Sequence, residues 1–181
     1  MVLKGTHGTC ASFAEDIRNS GFSFGPGRRG KGVYFWGYSG ANKEYATALA
    51  KAWWAQAKAI RKYDAASDQD CNVLHVDIKP EEGCLLDLEE LVMKQTLLQF
   101  LNDIHKRSLP KDRASLTEKA YDLFVHMLEK QLNKKFDVIY TTVNPPKTDF
   151  WDKRDRFPGF DIIGMAPCYV VKNTGCIFLM Q

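Results

Sequence analysis

Gly25-Pro26-Gly27-Arg28-Arg29-Gly30-Lys31-Gly32-Val33-Tyr34-Phe35-Trp36 is the stretch that decides the fold class. Gly25, Gly27 and Gly30 echo a phosphate-binding G-x-G-x-x-G, and the proline and cations among them mark a loop. A dinucleotide-binding fingerprint follows a strand and opens a helix, so that the pyrophosphate meets the helix N-terminus. Here the order is reversed. The apolar run of residues 32–36 that follows reads as a buried strand. The segment before it reads as a helix through Ser20, ended by Gly21. A doubly wound nucleotide fold is excluded on that ground, and no G-x-x-x-x-G-K-[ST] loop occurs.

Working outward, residues 2–7 read as a first strand. Thr9 or Ser12 is placed to cap the helix behind it, with Ala11, Ala14 and Ile17 on one face. Downstream, Ala46, Leu49, Ala50, Trp53, Ala57 and Ile60 recur at helical spacing within residues 41–63. Residues 72–78 alternate as a strand, with Leu74, Val76 and Ile78 on one face and His75 and Asp77 on the other. Pro80 and Gly83 break it before residues 84–88. Two amphipathic helices follow, over 89–107 and 116–133, parted near Pro110. Residues 136–141 form a strand, 144–158 a polar and aromatic loop, and 161–163, 168–171 and 176–180 the closing strands. Strands gathered late, after a run of helices, predict one α+β domain over residues 1–181 with mainly antiparallel sheets.

Composition narrows the class further. With 45% hydrophobic and 26% charged residues in 181, the chain can bury a sizeable core. No apolar run approaches the roughly 20 residues of a membrane-spanning helix, and the first residues lack the features of a secretory signal. The expectation is a cytoplasmic protein without a membrane partner, although a toxin injected into a target cell would read the same way. The five cysteines, Cys10, Cys71, Cys84, Cys168 and Cys176, form no C-x-x-C pair, which argues against a zinc site or a disulfide framework and for reduced thiols. His75, His105 and His126 have no metal-ligand spacing, so no metal is expected. A net charge of +3 is too small to diagnose nucleic-acid binding. Its distribution is more telling, with Arg28, Arg29 and Lys31 in one loop and Lys153, Arg154 and Arg156 in another.

Three signals recur together: His7-Gly8-Thr9 closing the first strand, Gly21-Phe22 closing the helix, and Gly32-Val33-Tyr34-Phe35 ahead of a helix bearing Tyr45. Singly, a strand-end histidine or a half-buried tyrosine is commonly structural. Jointly they resemble the ADP-ribosyltransferases of the diphtheria-toxin and poly(ADP-ribose) polymerase type. That family has a strand with His-Gly-[Thr/Ser], a helix ending in Gly-[Phe/Leu], a Gly-[Ile/Val]-Tyr-Phe strand, and a second tyrosine eleven positions after the first. Residues 73–78 and 85–88 look like its middle strand and the segment after it, and residues 169–177 like its last strand pair. The resemblance spans the whole chain, least diagnostically in the helical segment around 89–134. It implies two packed, mainly antiparallel sheets forming a central NAD⁺ cleft.

For the matched positions the resemblance implies roles that the side chains can fill. Tyr34 and Tyr45 would clamp the cationic nicotinamide ring, with stacking and cation–π terms of about 1 kcal/mol each. The N–H and C=O of Gly8 would hold its carboxamide, and glycine permits that approach. His7 would bond the adenosine ribose, donating and accepting as a hydroxyl requires. Thr9 and Phe35 adjoin these positions, and Asn42 falls near the family's polar contact to the carboxamide. Chemistry would be cleavage between nicotinamide and ribose through an oxocarbenium-like state, which in relatives a glutamate stabilises. Cys168 occupies that position here, and a thiol is a poor substitute. Three readings stand open: transfer of single ADP-ribose units with substrate and loop groups alone, a nearby acid such as Asp161, Asp152 or Asp155, or loss of activity.

In the family, the loop before the catalytic strand meets the acceptor. That loop here carries Trp151, Lys153, Arg154 and Arg156, aromatics that stack on bases and cations that meet phosphates. RNA is therefore preferred to protein as acceptor. The resulting expectation is a bacterial toxin-like mono-ADP-ribosyltransferase, of a toxin–antitoxin or anti-phage system, with an antitoxin protein as a further partner. A silent NAD⁺- or ADP-ribose-binding module, an NAD⁺ glycohydrolase and an RNA 2′-phosphotransferase are its rivals.

Overall fold

A computed structural model describes residues 1–107, 113–146 and 165–180. In chain order the elements are β1 (Leu3–Cys10), α1 (Ala11–Ser20), β2 (Val33–Tyr38), α2 (Lys43–Ala59), β3 (Cys71–Ile78), β4 (Leu85–Asp87), α3 (Leu91–Arg107), α4 (Arg113–Leu132), β5 (Val138–Val143), β6 (Ala166–Val171) and β7 (Ile177–Leu179). The expected strand at 161–163 lies outside the described residues.

The seven strands form one mixed sheet in the order β4-β5-β6-β2-β1-β3-β7. The α+β class holds, but the two separate sheets expected are replaced by one, because β2 pairs with β1 on one side and β6 on the other. Among the described strands only β4 and β5 run parallel. The α3–α4 pair is the crossover that such pairing requires, which gives the helical segment its place in the fold.

This sheet is curled. The connection from β6 to β7 runs through residues 172–176, yet crosses four strand spacings, about 19 Å in a flat sheet. Part of it is a short 3₁₀ turn, Thr174–Cys176, which advances only about 2 Å per residue. Five residues therefore close the span only if the two halves of the sheet approach each other. They meet through a core containing Val33, Phe35, Val76, Ile78, Val138 and Val171.

The opposite face carries the helices. Over β4, β5 and β6, α3 and α4 bury Leu97, Tyr121, Phe124 and Val125 against Leu86, Ile139, Cys168 and Val170. Over β1, α2 buries Ala46, Leu49, Ala50 and Ala57, and small side chains let it approach closely. Thr6 Oγ1 donates to Ala46 O at 2.8 Å, while a Cβ on Gly8 would stand 1.9 Å from Ala50 O.

Local departures from the sequence reading have local causes. Cys10, not Thr9 or Ser12, is the N-cap of α1, and its side chain makes no capping bond. The first-turn N–H groups of Ala11 and Ser12 instead donate to Asp70 O and Asp68 O. Gly21, at φ +81°, ends α1 as expected. Helix α2 stops at Ala59 and the chain turns at Arg61, which has positive φ. Ile60, just past the helix, is therefore 72% exposed, and Trp53, within the helix and on the predicted stripe, is 40% exposed. Trp54 turns inward instead, its indole N–H donating to Gln69 O at 3.1 Å.

Candidate active site

The site begins where two strands part. The β1–β2 ladder ends at Thr6↔Trp36, whereas β1 stays beside β3 as far as Cys10↔Cys71. Ala11 N–H donates to Asp70 O at 2.8 Å, which makes 11 and 70 a hydrogen-bonded pair in the β1–β3 register. Odd-numbered β1 residues therefore bond towards β3, and even-numbered ones direct N–H and C=O towards β2. The Gly8 N–H and C=O thus point past the last rung, into the gap left by β2. Across that gap His7 Nδ1–H donates to the Tyr34 carbonyl at 2.9 Å, a side chain standing in for the next rung.

That bond fixes the histidine. A carbonyl only accepts, so Nδ1 carries the proton and Nε2 keeps its lone pair. The imidazole packs against Phe22 and Phe35, with ring centroids 5.5 and 5.7 Å away. Burial holds its pKa below the ordinary 6.5 and Lys62 adds to the depression, while the bond to Tyr34 works against them. The ring is neutral at pH 7, with Nε2 as its hydrogen-bond acceptor.

Tyr34 and Tyr45 lie on the opposite face from the imidazole. Tyr34 packs on the α3–α4 cluster. Its hydroxyl accepts from Arg29 N–H at 3.0 Å and donates to Gly30 O at 2.5 Å. The 25–32 loop closes on itself at a Gly25↔Gly32 bridge, and Gly27 lies against the Tyr34 ring where a Cβ would stand 2.4 Å from the hydroxyl. Tyr45 packs beside Trp36, Leu49 and Ala166. Tyr34 and Tyr45 thus lie on the helix-covered face of the sheet and the imidazole on the other, joined through the Tyr34 backbone. The central cleft that the resemblance implied, held by His7, Tyr34 and Tyr45 together, gives way to that two-sided arrangement.

Other expected residues divide. Phe35 is 1% exposed and sits in the core, supporting His7. Thr9 is 4% exposed, so neither Phe35 nor Thr9 presents a surface to a ligand. Asn42 is exposed at the start of α2 and makes no side-chain cap bond. Cys168 is 3% exposed on the rung with Trp36. Burial pushes its thiol up to about 12, with Arg29 and a backbone bond from Phe35 only partly opposing. A protonated, buried thiol takes no part in nucleophilic or carboxylate-like chemistry. Asp161, Asp152, Asp155, Trp151, Lys153, Arg154 and Arg156 lie outside the described residues.

Two charged residues of this region, Arg29 and Glu89, were not among the candidate site residues read from the sequence, although Arg29 was noted in its basic loop. Arg29 stacks over Tyr121, 4.9 Å from the ring centroid. Its Nη2 donates to Thr142 O at 3.4 Å, while its buried Nε has no acceptor. Glu89 Oε1 accepts from Thr142 N–H at 2.8 Å and from the Thr142 hydroxyl at 2.9 Å, and Oε2 from Lys94 at 2.6 Å. Burial would raise its pKa, but these bonds outweigh it and hold the carboxylate below the usual value. The Arg28-Arg29 charge pair was visible in the sequence. The pairing of Thr142 with segments 53 and 113 residues away was not.

Glu81, Cys84 and Asp137 bring three ligand-type atoms within 4.8 Å of one another. Asp137 already accepts from Glu81 N–H at 2.9 Å and the Asn173 amide at 2.8 Å, so the cluster ties chain connections together. Two surface depressions, around Lys43, Thr47 and Lys51 and around Phe24, Lys31 and Lys172, lie away from the notch. No described helix is long and apolar enough to cross a membrane. Comparison with known protein families, curated sequences and solved structures found no match.

Proposed function

We propose that this protein is an ADP-ribosyltransferase that binds NAD⁺ at the parting of β1 and β2, cleaves the nicotinamide–ribose bond and transfers ADP-ribose to a macromolecule. One observation carries the reading: the His7–Tyr34 bond, at the point where the Gly8 N–H and C=O run past the last rung. A carboxamide needs one acceptor and one donor, and a glycine backbone offers both without a side chain in the way. Tyr34 and Tyr45 share the adjoining face, as a clamp on a flat cationic ring requires. Nε2 of His7 accepts from a ribose hydroxyl. Arg29, a half-buried cation with an unfilled N–H, suits an oxyanion such as the diphosphate.

RNA is the acceptor we favour, from the aromatic and basic residues at 151–156, and a toxin held in check by an antitoxin is the setting that fits. Purified protein incubated with labelled NAD⁺ and a cell lysate tests the proposal. Nicotinamide should be released and label should appear on macromolecules, removed by nuclease if RNA is the acceptor and by protease if protein is. The buried Cys168, which leaves β6 without an acid, favours a second reading: a silent NAD⁺- or ADP-ribose-binding module. Calorimetry would then register NAD⁺ binding with no nicotinamide release. Nicotinamide release with no labelled macromolecule would mean a glycohydrolase.

A further inference from the structure

Cys10 and Cys71 face each other directly across the β1–β3 ladder. The neighbouring pair, Ala11 and Asp70, is hydrogen-bonded, so Cys10↔Cys71 is a non-hydrogen-bonded rung, the closer kind, with Cα atoms about 4.5 Å apart. Both side chains are on the α2 face. Cys10 packs with Ala57 and Tyr63, and partial burial raises the Cys71 thiol above its ordinary value, with Lys51 of α2 opposing. A disulfide needs Cα atoms between about 4.4 and 6.8 Å, and this rung falls at the short end of that window.

From this juxtaposition we propose that Cys10 and Cys71 form a reversible cross-strand disulfide by exchange with a low-molecular-weight disulfide such as oxidised glutathione. Cys71, the exposed partner, attacks as thiolate. Its sulfur bonds to one sulfur of the small disulfide, and the other leaves as a thiol. Buried Cys10 then attacks the Cys71 sulfur and expels the second small thiol. Two protein thiols are oxidised, one small disulfide is reduced to two thiols, and the two thiol protons pass to the leaving groups. Excess reduced small thiol reverses both exchanges. The link pins the far end of the strand that carries His7 and Gly8, and it does not depend on the proposed transferase activity.

The test exposes full-length protein to oxidised glutathione, blocks remaining thiols by alkylation under denaturing conditions, and maps the peptides by mass spectrometry. The five free thiols should fall by two, with a peptide joined through Cys10 and Cys71, and excess reduced glutathione should restore both. Cys71→Ser should lose the linkage altogether. Cys10→Ala, with a small apolar residue suited to the buried site, should stop at a glutathione adduct on Cys71. The oxidised wild type should unfold at a higher temperature than the reduced form, by a shift absent in both variants. A lasting glutathione adduct on wild-type Cys71, a linkage through another cysteine, or five free thiols after exposure would each overturn the proposal.

Discussion

Replacing Gly8 with alanine tests whether α2 presses on β1 at the site. The added Cβ would stand 1.9 Å from Ala50 O and 2.5 Å from Ala50 C. Both are backbone atoms, so no rotamer change relieves the clash. Restoring ordinary contact near 3.4 Å requires α2 to retreat by about 1.5 Å, an overpacking strain of about 1–3 kcal/mol. The same retreat stretches the 2.8 Å bond from Thr6 to Ala46 O, adding about 1 kcal/mol. A loss of about 3 kcal/mol in a chain of this size lowers Tm by about 6–12 °C. Thermal unfolding by circular dichroism measures it, with Gly25→Ala as control, since a Cβ there meets nothing within 4 Å. The control should stay within about 0.5 kcal/mol of wild type. Because α2 carries Tyr45, Gly8→Ala should also weaken NAD⁺ binding by calorimetry. A Gly8→Ala protein melting within about 2 °C of wild type would refute the close packing.

Tyr34→Phe keeps the ring but removes the hydroxyl that joins Arg29 N–H to Gly30 O, so the 25–32 loop should loosen at a cost of about 1–3 kcal/mol and expose Gly30 N–H to faster hydrogen exchange. Tyr34→Ala and His7→Ala should abolish NAD⁺-dependent labelling while circular dichroism keeps the native spectrum; labelling that survives both would remove the proposed site. Because the folded pKa of His7 lies below 6.5, the unfolded chain binds the extra proton first. Stability from the neutral ring is full above 6.5 and is lost as pH falls below it, and His7→Gln should flatten that part of the urea-midpoint profile relative to wild type. Cys168, protonated up to about 12, should resist iodoacetamide in the native state, and Cys168→Ala should label as well as wild type; an alkylated Cys168 would contradict its burial.

Alternation and spacing were enough to read most of the elements. Leu74, Val76 and Ile78 are buried on one face of β3, as the period of two requires, and Ala46, Leu49, Ala50 and Ala57 form the inward stripe of α2. Gly21 marked the end of α1. These are local signals, because a side chain's direction follows from the dihedral period of its own segment. The same locality explains the misses. Trp53 matched the helical stripe, but exposure depends on what the sheet places opposite it. The first turn of α1 is satisfied by the backbone of residues 68–70, a partner no capping pattern in residues 9–12 could announce.

What the sequence determined alone is therefore the set of segments, the reversed glycine loop that excludes a doubly wound fold, and the His7, Tyr34 and Tyr45 spacing that raised the functional reading. Tertiary structure decided that one sheet replaces two, since β2 pairs with both β1 and β6, and that it curls, since a five-residue connection must join strands four places apart. It also decided that β1 and β2 part after Thr6, that His7 reaches the Tyr34 carbonyl, that Cys168 is sealed in the core, and that Cys10 faces Cys71. Each of these depends on strand register and on helices closing over the sheet, and register is set by pairing between segments distant in the chain.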